Sequence, residues 1–154
     1  MSEMKRSDRE ITDRSEIDDI IDGCEVCHLG FAAGDEPYVV PVSYGYDGKY
    51  LYLHTAMEGK KIDFIAKNSN VCFAVERNVR LVADEASPCK WTFSYESVMG
   101  YGRIEELTQL DDKNYGLSEV VRHYSGKGWD FEPHELNSTR IWRISVDSVA
   151  GKRS

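Results

Sequence analysis

The chain has 154 residues, with 19 Lys+Arg against 27 Asp+Glu for a formal charge of −8, and is 41% hydrophobic and 30% charged. That length suits one domain with a real core and leaves no room for a dinucleotide-binding domain beside a separate substrate domain. The acidic balance disfavours nucleic acid and anionic membrane surfaces as partners, since both call for excess Lys and Arg, and the hydrophobic content is too high for disorder.

Residues 1–22 hold four basic and eight acidic groups, and residues 1–10 read as a loose N-terminal arm. No apolar stretch of signal-peptide or membrane-spanning length opens the chain, so a cytoplasmic protein is expected. The four cysteines, Cys24, Cys27, Cys72 and Cys89, are then expected to be reduced thiols. Asp13 or Ser15 can cap a short helix with Ile17, Ile20 and Ile21 on one face and Gly23 as its stop.

Cys24-Glu25-Val26-Cys27-His28 reads C-x-x-C-H, the pattern of covalent haem attachment. The segment also reads as a strand over residues 25–32, which places Cys24 and Cys27 on opposite faces. Buried structural thiols are therefore expected in preference to haem attachment, a zinc site or a redox pair. No metal site is expected.

Tyr38, Val40, Val42, Tyr44 and Tyr46 alternate with Val39, Pro41, Ser43 and Gly45, then Asp47-Gly48 precedes the run Lys49–Thr55. Asp-Gly between alternating runs predicts a tight type I′ hairpin. A two-residue turn at Asp47-Gly48 would put Tyr46 opposite Lys49, Ser43 opposite Tyr52 and Pro41 opposite His54. Pro41 cannot donate to a ladder, which marks that end as an edge, a bulge or a place of close approach.

Gly59 opens a helix through GKKIDFIAKN. Lys60 and Lys61 fall in its first turn, where positive charge opposes the helix dipole. An anion held by free backbone N–H groups, Thr55 and the two lysines would account for them, and so would simple solvation. Strands follow at about residues 71–76 and 95–106. In the second, Val98, Gly100 and Gly102 share a face, admitting either a ring or another backbone, or relieving crowding at a bend. A helix over about residues 111–124, one further turn at 133–136 and a strand at 139–149 complete the expected pattern. Strands dominate, which predicts a closed or partly closed antiparallel barrel.

Together, YVVPVSYGYDGKYLYLHTAMEGKKIDFIAKNSNVCFAVE, CKWTFSYESVMGYGRIEEL and the terminal AGKRS closely resemble the FMN-binding split-barrel proteins. The resemblance is to the branch related to pyridoxamine 5′-phosphate oxidase that includes the 5-nitroimidazole-resistance proteins, and it covers about residues 8–154. It implies one mostly β domain over residues 1–154, a six-stranded antiparallel split β-barrel with a few peripheral helices. It further implies a homodimer with FMN at the subunit interface.

The same resemblance implies that Val40, Pro41, Val42 and Ser43 edge the isoalloxazine, and that His54, Thr55 and Ala56 lie beneath the ring and ribityl chain. Gly59, Lys60 and Lys61 correspond to the phosphate cradle, with Lys61 the firmest ion partner. Trp91, Tyr95, Ser97 and Val98 would approach the flavin from the neighbouring subunit, and Gly151-Lys152 lies close to the site in some members. The phosphate-binding arginines and longer C-terminal segment of the classical oxidase have no match, so pyridoxamine phosphate oxidation is not expected. His54 would serve as a hydrogen-bonding scaffold or as a proton donor. The activity implied is that of an oxidoreductase passing electrons from a reduced nicotinamide donor to a small acceptor such as a nitro compound or quinone. The alternative is a non-catalytic flavin- or haem-binding and sensing protein, with His28 or His123 as an axial ligand for haem.

Overall fold

The computed structural model describes residues 4–154. Of the arm expected over residues 1–10, residues 1–3 lie outside the described part; Ser7–Arg9 makes a single 3₁₀ turn. Strand β1 (Glu10–Ile11) then pairs with the final strand β8 (Arg140–Arg153), Glu10 opposite Lys152. Between them run α1 (Arg14–Asp22), β2 (Cys27–Ala33), β3 (Glu36–Val42), β4 (Gly45–Tyr46), β5 (Tyr50–Thr55), α2 (Lys60–Lys67), β6 (Asn70–Val82), β7 (Thr92–Leu107), α3 (Leu110–Ser125) and α4 (Pro133–Asn137). Asp13 caps α1 by accepting from the Ser15 amide at 3.0 Å, and Ile17, Ile20 and Ile21 are buried beneath the helix.

The expected six-stranded barrel is corrected in two respects: the described residues form eight strands, and the sheet is not closed. Its order is β3-β2-β6-β7-β8-β5-β4, with β1 attached to β8. The two edges, β3 and β4, are nevertheless joined by Ser43 and Tyr44 alone. Three peptide steps reach no further than about 11 Å, so the edges must lie close and the sheet must curl. Tyr44 is 1% exposed and pins this crossover, its hydroxyl donating to the carbonyls of Ile21 and Cys24. Curling also needs a tight bend between β7 and β8. The register slips there between Tyr101 and Gly102, and a Cβ on Gly102 would stand 2.0 Å from the Ser145 carbonyl oxygen. The glycine face of β7 thus meets its own neighbouring strand, which answers the choice left open by the sequence in favour of crowding.

The hairpin register is corrected as well. Tyr46 lies opposite Leu51 and Gly45 opposite Tyr52, so the turn residues are Gly48 and Lys49. Gly48 has φ 89° and Lys49 does not share the positive sign, the pattern of a turn that needs glycine only at its first central position. Asp47 sets this register. Its carboxylate accepts from the Lys49 amide at 2.9 Å, the Tyr50 amide at 2.7 Å and the Tyr52 hydroxyl at 2.9 Å. β3 pairs with β2 instead of β5, so Pro41 faces His28, not His54, and His54 faces Ile141 on β8.

Leu29, Phe73, Val75, Val98, Leu51, Leu53 and Ile144 fill the interior of the curled sheet. A second cluster of Tyr52, Leu107, Val120, Leu136 and Ile141 lies outside it, where α3 and α4 cover β5 and β8. No helix among the described residues is long and apolar enough to cross a membrane.

Candidate functional site

The expected site residues divide into two sets. The first gathers around the N-terminus of α2. The loop after β5 is fastened to β8 on three sides: Thr139 donates its hydroxyl to the Thr55 carbonyl at 2.6 Å, Arg140 reaches the Met57 carbonyl at 3.3 Å, and the Trp142 indole donates to the Thr55 hydroxyl at 2.9 Å. Thr55 is 5% exposed, and its hydroxyl is further engaged with the Ala56 carbonyl at 2.9 Å. Arg140 is itself held by Glu106 at 2.7 Å, and that pairing draws the Glu106 carboxyl below its ordinary range. Ala56 and His54 are exposed.

Gly59 follows with φ 143°, a conformation that side chains rarely adopt, and open space where a Cβ would be. It offers no side-chain cap, so the amides of the first turn of α2 are left without the usual capping acceptor. Lys60 lies over the Tyr38 ring, 4.6 Å from its centroid, which brings this helix end to the middle of β3. Phe64 of α2 meets Tyr38 and Phe31 in one aromatic cluster. Among the described residues no ion pair involves Lys60 or Lys61. Val40 and Val42 pack against the core, whereas Pro41 and Ser43 are exposed along the free edge of the sheet.

The second set lies on the outer face of the β6–β7–β8 sheet. Ser97 pairs with Glu76 on one side and Lys152 on the other, and Val98 pairs with Gly151. The strand β8 extends further than the sequence implied, through Arg153, and Ser154 still exchanges backbone hydrogen bonds with Tyr95. This places the terminal Gly151-Lys152 directly beside Ser97 and Val98, with Lys152 near the Tyr95 ring, 5.8 Å from its centroid. The Val98 side chain points inward and is 1% exposed. A groove of about 670 Å³ runs over this face, lined by Ala74, Glu76, Ser97, Met99, Tyr101 and Lys152 among others.

Beyond the groove β6 and β7 continue as an arm with Leu81 opposite Phe93, and both are exposed. Trp91 closes its tip, the indole donating to the Asp84 carbonyl at 2.6 Å. Among the described residues no hydrogen bond or ion pair joins the two sets within one chain.

The remaining motif residues are accounted for by packing. Cys24 and Cys27 are both 2% exposed, and burial pushes their thiols up to about 11 and about 12, respectively. They are inert core residues, as expected. Neither nitrogen of His123 is open to an axial bond: Nε2 is 2.6 Å from the Cys24 carbonyl oxygen and Nδ1 is buried. His28 is half-buried and paired with Glu76 at 2.9 Å. The sequence did not single out Arg140 and Thr139 as supports of the α2 loop, or Tyr38 beneath Lys60. Their roles depend on strand pairings that no local spacing encodes.

The model of the pyridoxamine 5′-phosphate oxidase family matches residues 13–153. A curated relative, the uncharacterized protein RA0666 of Rhizobium meliloti (strain 1021), is 30% identical over 97 residues, covering 63% of this chain. That match spans 56% of the relative's length, little more than half. Among solved structures, a candidate 5-nitroimidazole antibiotic resistance protein from Bacteroides thetaiotaomicron is 30% identical, with a TM-score of 0.81 over 93% of this chain and 85% of that one. The FAD and haem binding protein from Mycobacterium smegmatis is 19% identical with a TM-score of 0.83, over 95% of this chain and 73% of that one. The flavocytochrome Anf3 from Azotobacter vinelandii is 19% identical with a TM-score of 0.82, over 99% and 72%. These last two share the fold.

Proposed function

We propose that this chain, which belongs to the pyridoxamine 5′-phosphate oxidase family, is an FMN-binding oxidoreductase that works as a homodimer. It passes electrons from a reduced nicotinamide donor to a small acceptor such as a nitro compound or quinone. The observation that carries the reading is the α2 N-terminus, where an uncapped helix end, the open backbone at Gly59 and two lysines that have no carboxylate partner among the described residues converge. Such an end suits a single phosphate group. The names of neighbouring structures, which mention FAD, haem and nitroimidazole resistance, support a redox cofactor in this fold.

FMN, when bound, supplies the two-electron chemistry, and the protein's part is to bind, orient and shield it. Lys61, backed by Lys60 and the first-turn amides of α2, would hold the phosphate. Pro41 and Ser43, exposed on the sheet edge, would border the ring, and Val40 and Val42 anchor that edge in the core. Thr55 and Ala56 shape the loop beneath. His54 is exposed and would orient the ring or hand a proton to it.

The second set, Trp91, Tyr95, Ser97 and Lys152, would complete the site from the partner copy, since among the described residues no hydrogen bond or ion pair ties it to the α2 end within one chain. The exposed Met99, Tyr101, Leu81 and Phe93 on that face give the partner an apolar surface to cover. A cytoplasmic setting agrees with the free thiols. The test is turnover by the FMN-loaded protein. NADH or NADPH oxidation coupled to a nitro compound or quinone is expected, and FMN binding without any turnover would favour the sensing alternative.

A further inference from the structure

His123 lies in the last turn of α3 with its side chain only 2% exposed. The ring packs against Tyr44 and Tyr124, with centroids 4.4 and 4.8 Å away. Nε2 stands 2.6 Å from the Cys24 carbonyl oxygen. A carbonyl only accepts, so in the neutral ring Nε2 carries the proton and Nδ1 presents a bare lone pair. Nδ1 has no hydrogen-bond partner among the described residues, yet the Asp22 carboxylate faces it with Oδ1 3.9 Å away. The Asp22 carboxylate is open to solvent, so the buried Nδ1 lone pair is the one group here without a donor, and a proton on it would pair with the carboxylate.

The surroundings tie this pair to the crossover between the two sheet edges. Tyr44 donates its amide to the Tyr124 hydroxyl at 3.1 Å, and the Tyr124 hydroxyl donates to the Glu25 carbonyl at 2.7 Å. The Tyr44 hydroxyl reaches the carbonyl of Cys24, the same carbonyl that holds His123. The ends of α1 and α3 therefore meet around Ser43–Tyr44, and a cleft of about 410 Å³ lined by Asp22, Glu25, Ser43 and Tyr124 opens beside them.

We propose that His123 and Asp22 form a proton-operated latch on this crossover. A proton from solvent adds to Nδ1. The imidazolium keeps its Nε2–H bond to the Cys24 carbonyl, and the Asp22 carboxylate, now 3.9 Å away, closes by about 1 Å to accept from Nδ1–H. The groups at the ring are Asp22 from α1, the Cys24 carbonyl from the loop after it, Tyr44 from the crossover and Tyr124 from α3; Glu25 lines the same cleft, and Arg122, the preceding residue of α3, acts on the Asp22 carboxylate. Arg122 is closed onto Glu119 at 2.6 Å. Burial keeps the Cys24 thiol and the Tyr44 phenol protonated. Imidazole is the group type among these that ordinarily changes charge between pH 5 and 8, and a cation in the last turn of α3 also suits the helix dipole. The closed latch holds α1 and α3 together over Ser43, and so fixes the sheet edge that ends there. The inference stands without the flavin reading and reaches that site only through Ser43.

The test is a double-mutant cycle on the full chain without added flavin, using Asp22→Ala, which brings no donor to Nδ1, His123→Gln and the pair, with unfolding measured at pH 5.5 and pH 8. The expected coupling between the two sites is about tenfold in the unfolding equilibrium constant at pH 5.5 and close to onefold at pH 8. Equal coupling at both pH values, or none at pH 5.5, overturns the latch. Imidazole nitrogen NMR of the unsubstituted protein covers the case in which a variant fails to fold. Nε2 is expected to hold the proton at pH 8, with the Ser43 and Tyr44 amide shifts moving together with His123 on acidification. A proton on Nδ1 at pH 8, or amide shifts that stay still while His123 titrates, contradicts the proposal.

Discussion

Lys60 rests over the ring of Tyr38, 4.6 Å from its centroid, and this contact distinguishes two adjacent lysines. Lys60 is partly committed to the aromatic cluster that holds α2 against β2 and β3. Among the described residues Lys61 makes no such contact, which leaves it the freer cation at the same helix end. Lys61→Ala is therefore expected to weaken FMN binding by about 10- to 100-fold, the range for losing one charge-assisted bond to phosphate. Its melting temperature should stay near that of the parent. Lys60→Ala is expected to weaken binding less and to cost about 0.5–1 kcal/mol of stability through the lost cation–π contact. Fluorescence titration with FMN and urea unfolding of both variants would measure the split.

Thr55 is buried as the acceptor for the Trp142 indole, not as an open phosphate ligand. Thr55→Val keeps the shape and removes that acceptor, leaving an indole N–H that is buried with the rest of Trp142 unpaired. The expected loss is about 1–3 kcal/mol in urea unfolding. A loss confined to FMN affinity would instead assign the hydroxyl directly to the ligand.

Asp47 links stability to pH. Burial alone would raise its carboxyl, but the Tyr50 and Lys49 amides and the Tyr52 and Tyr115 hydroxyls outweigh it and hold the group below its ordinary range. A carboxyl lowered in the folded state contributes stability above the ordinary carboxylate range. That contribution is lost as pH falls through the folded value. Stability should therefore decline as pH drops below about 4, and Asp47→Asn should flatten that part of the profile. A variant whose acid profile is unchanged would show that these four donors do not favour the ionised form.

The outer face of β6–β7–β8 carries the prediction about assembly. Met99 is 43% exposed in the groove and Phe93 52% exposed on the arm. Met99→Glu or Phe93→Asp places charge in the middle of an apolar face and is expected to convert a dimer to monomers, with FMN binding weakened in parallel. Light scattering would read the mass. A parent chain that is already monomeric and still binds FMN would remove the need for a partner in the site.

Several parts of this arrangement are legible in the residues. The three isoleucines of α1 and the Asp13 cap follow from local periodicity and cap chemistry; the burial of Cys24 and Cys27 follows from their thiol character and not from strand alternation, since β2 begins at Cys27 and both are buried. The lysine pair at α2 is visible as charge placed against a helix dipole. The register of the β4–β5 hairpin is not, because Asp47 recruits four donors and displaces the Asp-Gly turn by one residue. The pairing of Pro41 with His28 is hidden for a related reason. A continuous alternation from Tyr38 to Tyr46 gives no sign that the chain changes sheet edge at Ser43–Tyr44. The extent of β8 and the Arg140 support of the α2 loop arise from contacts far apart in the chain, so local spacing carries no trace of them.

The central claim is that the α2 end holds the phosphate of FMN. Titration of the purified protein with FMN, followed by visible absorption after removal of free ligand, tests it most directly. Retained flavin absorption approaching one FMN per chain is expected, with the bound fraction falling sharply for Lys61→Ala. A colourless protein with no fluorescence change and no melting shift on adding FMN, or full retention by Lys61→Ala, would contradict it.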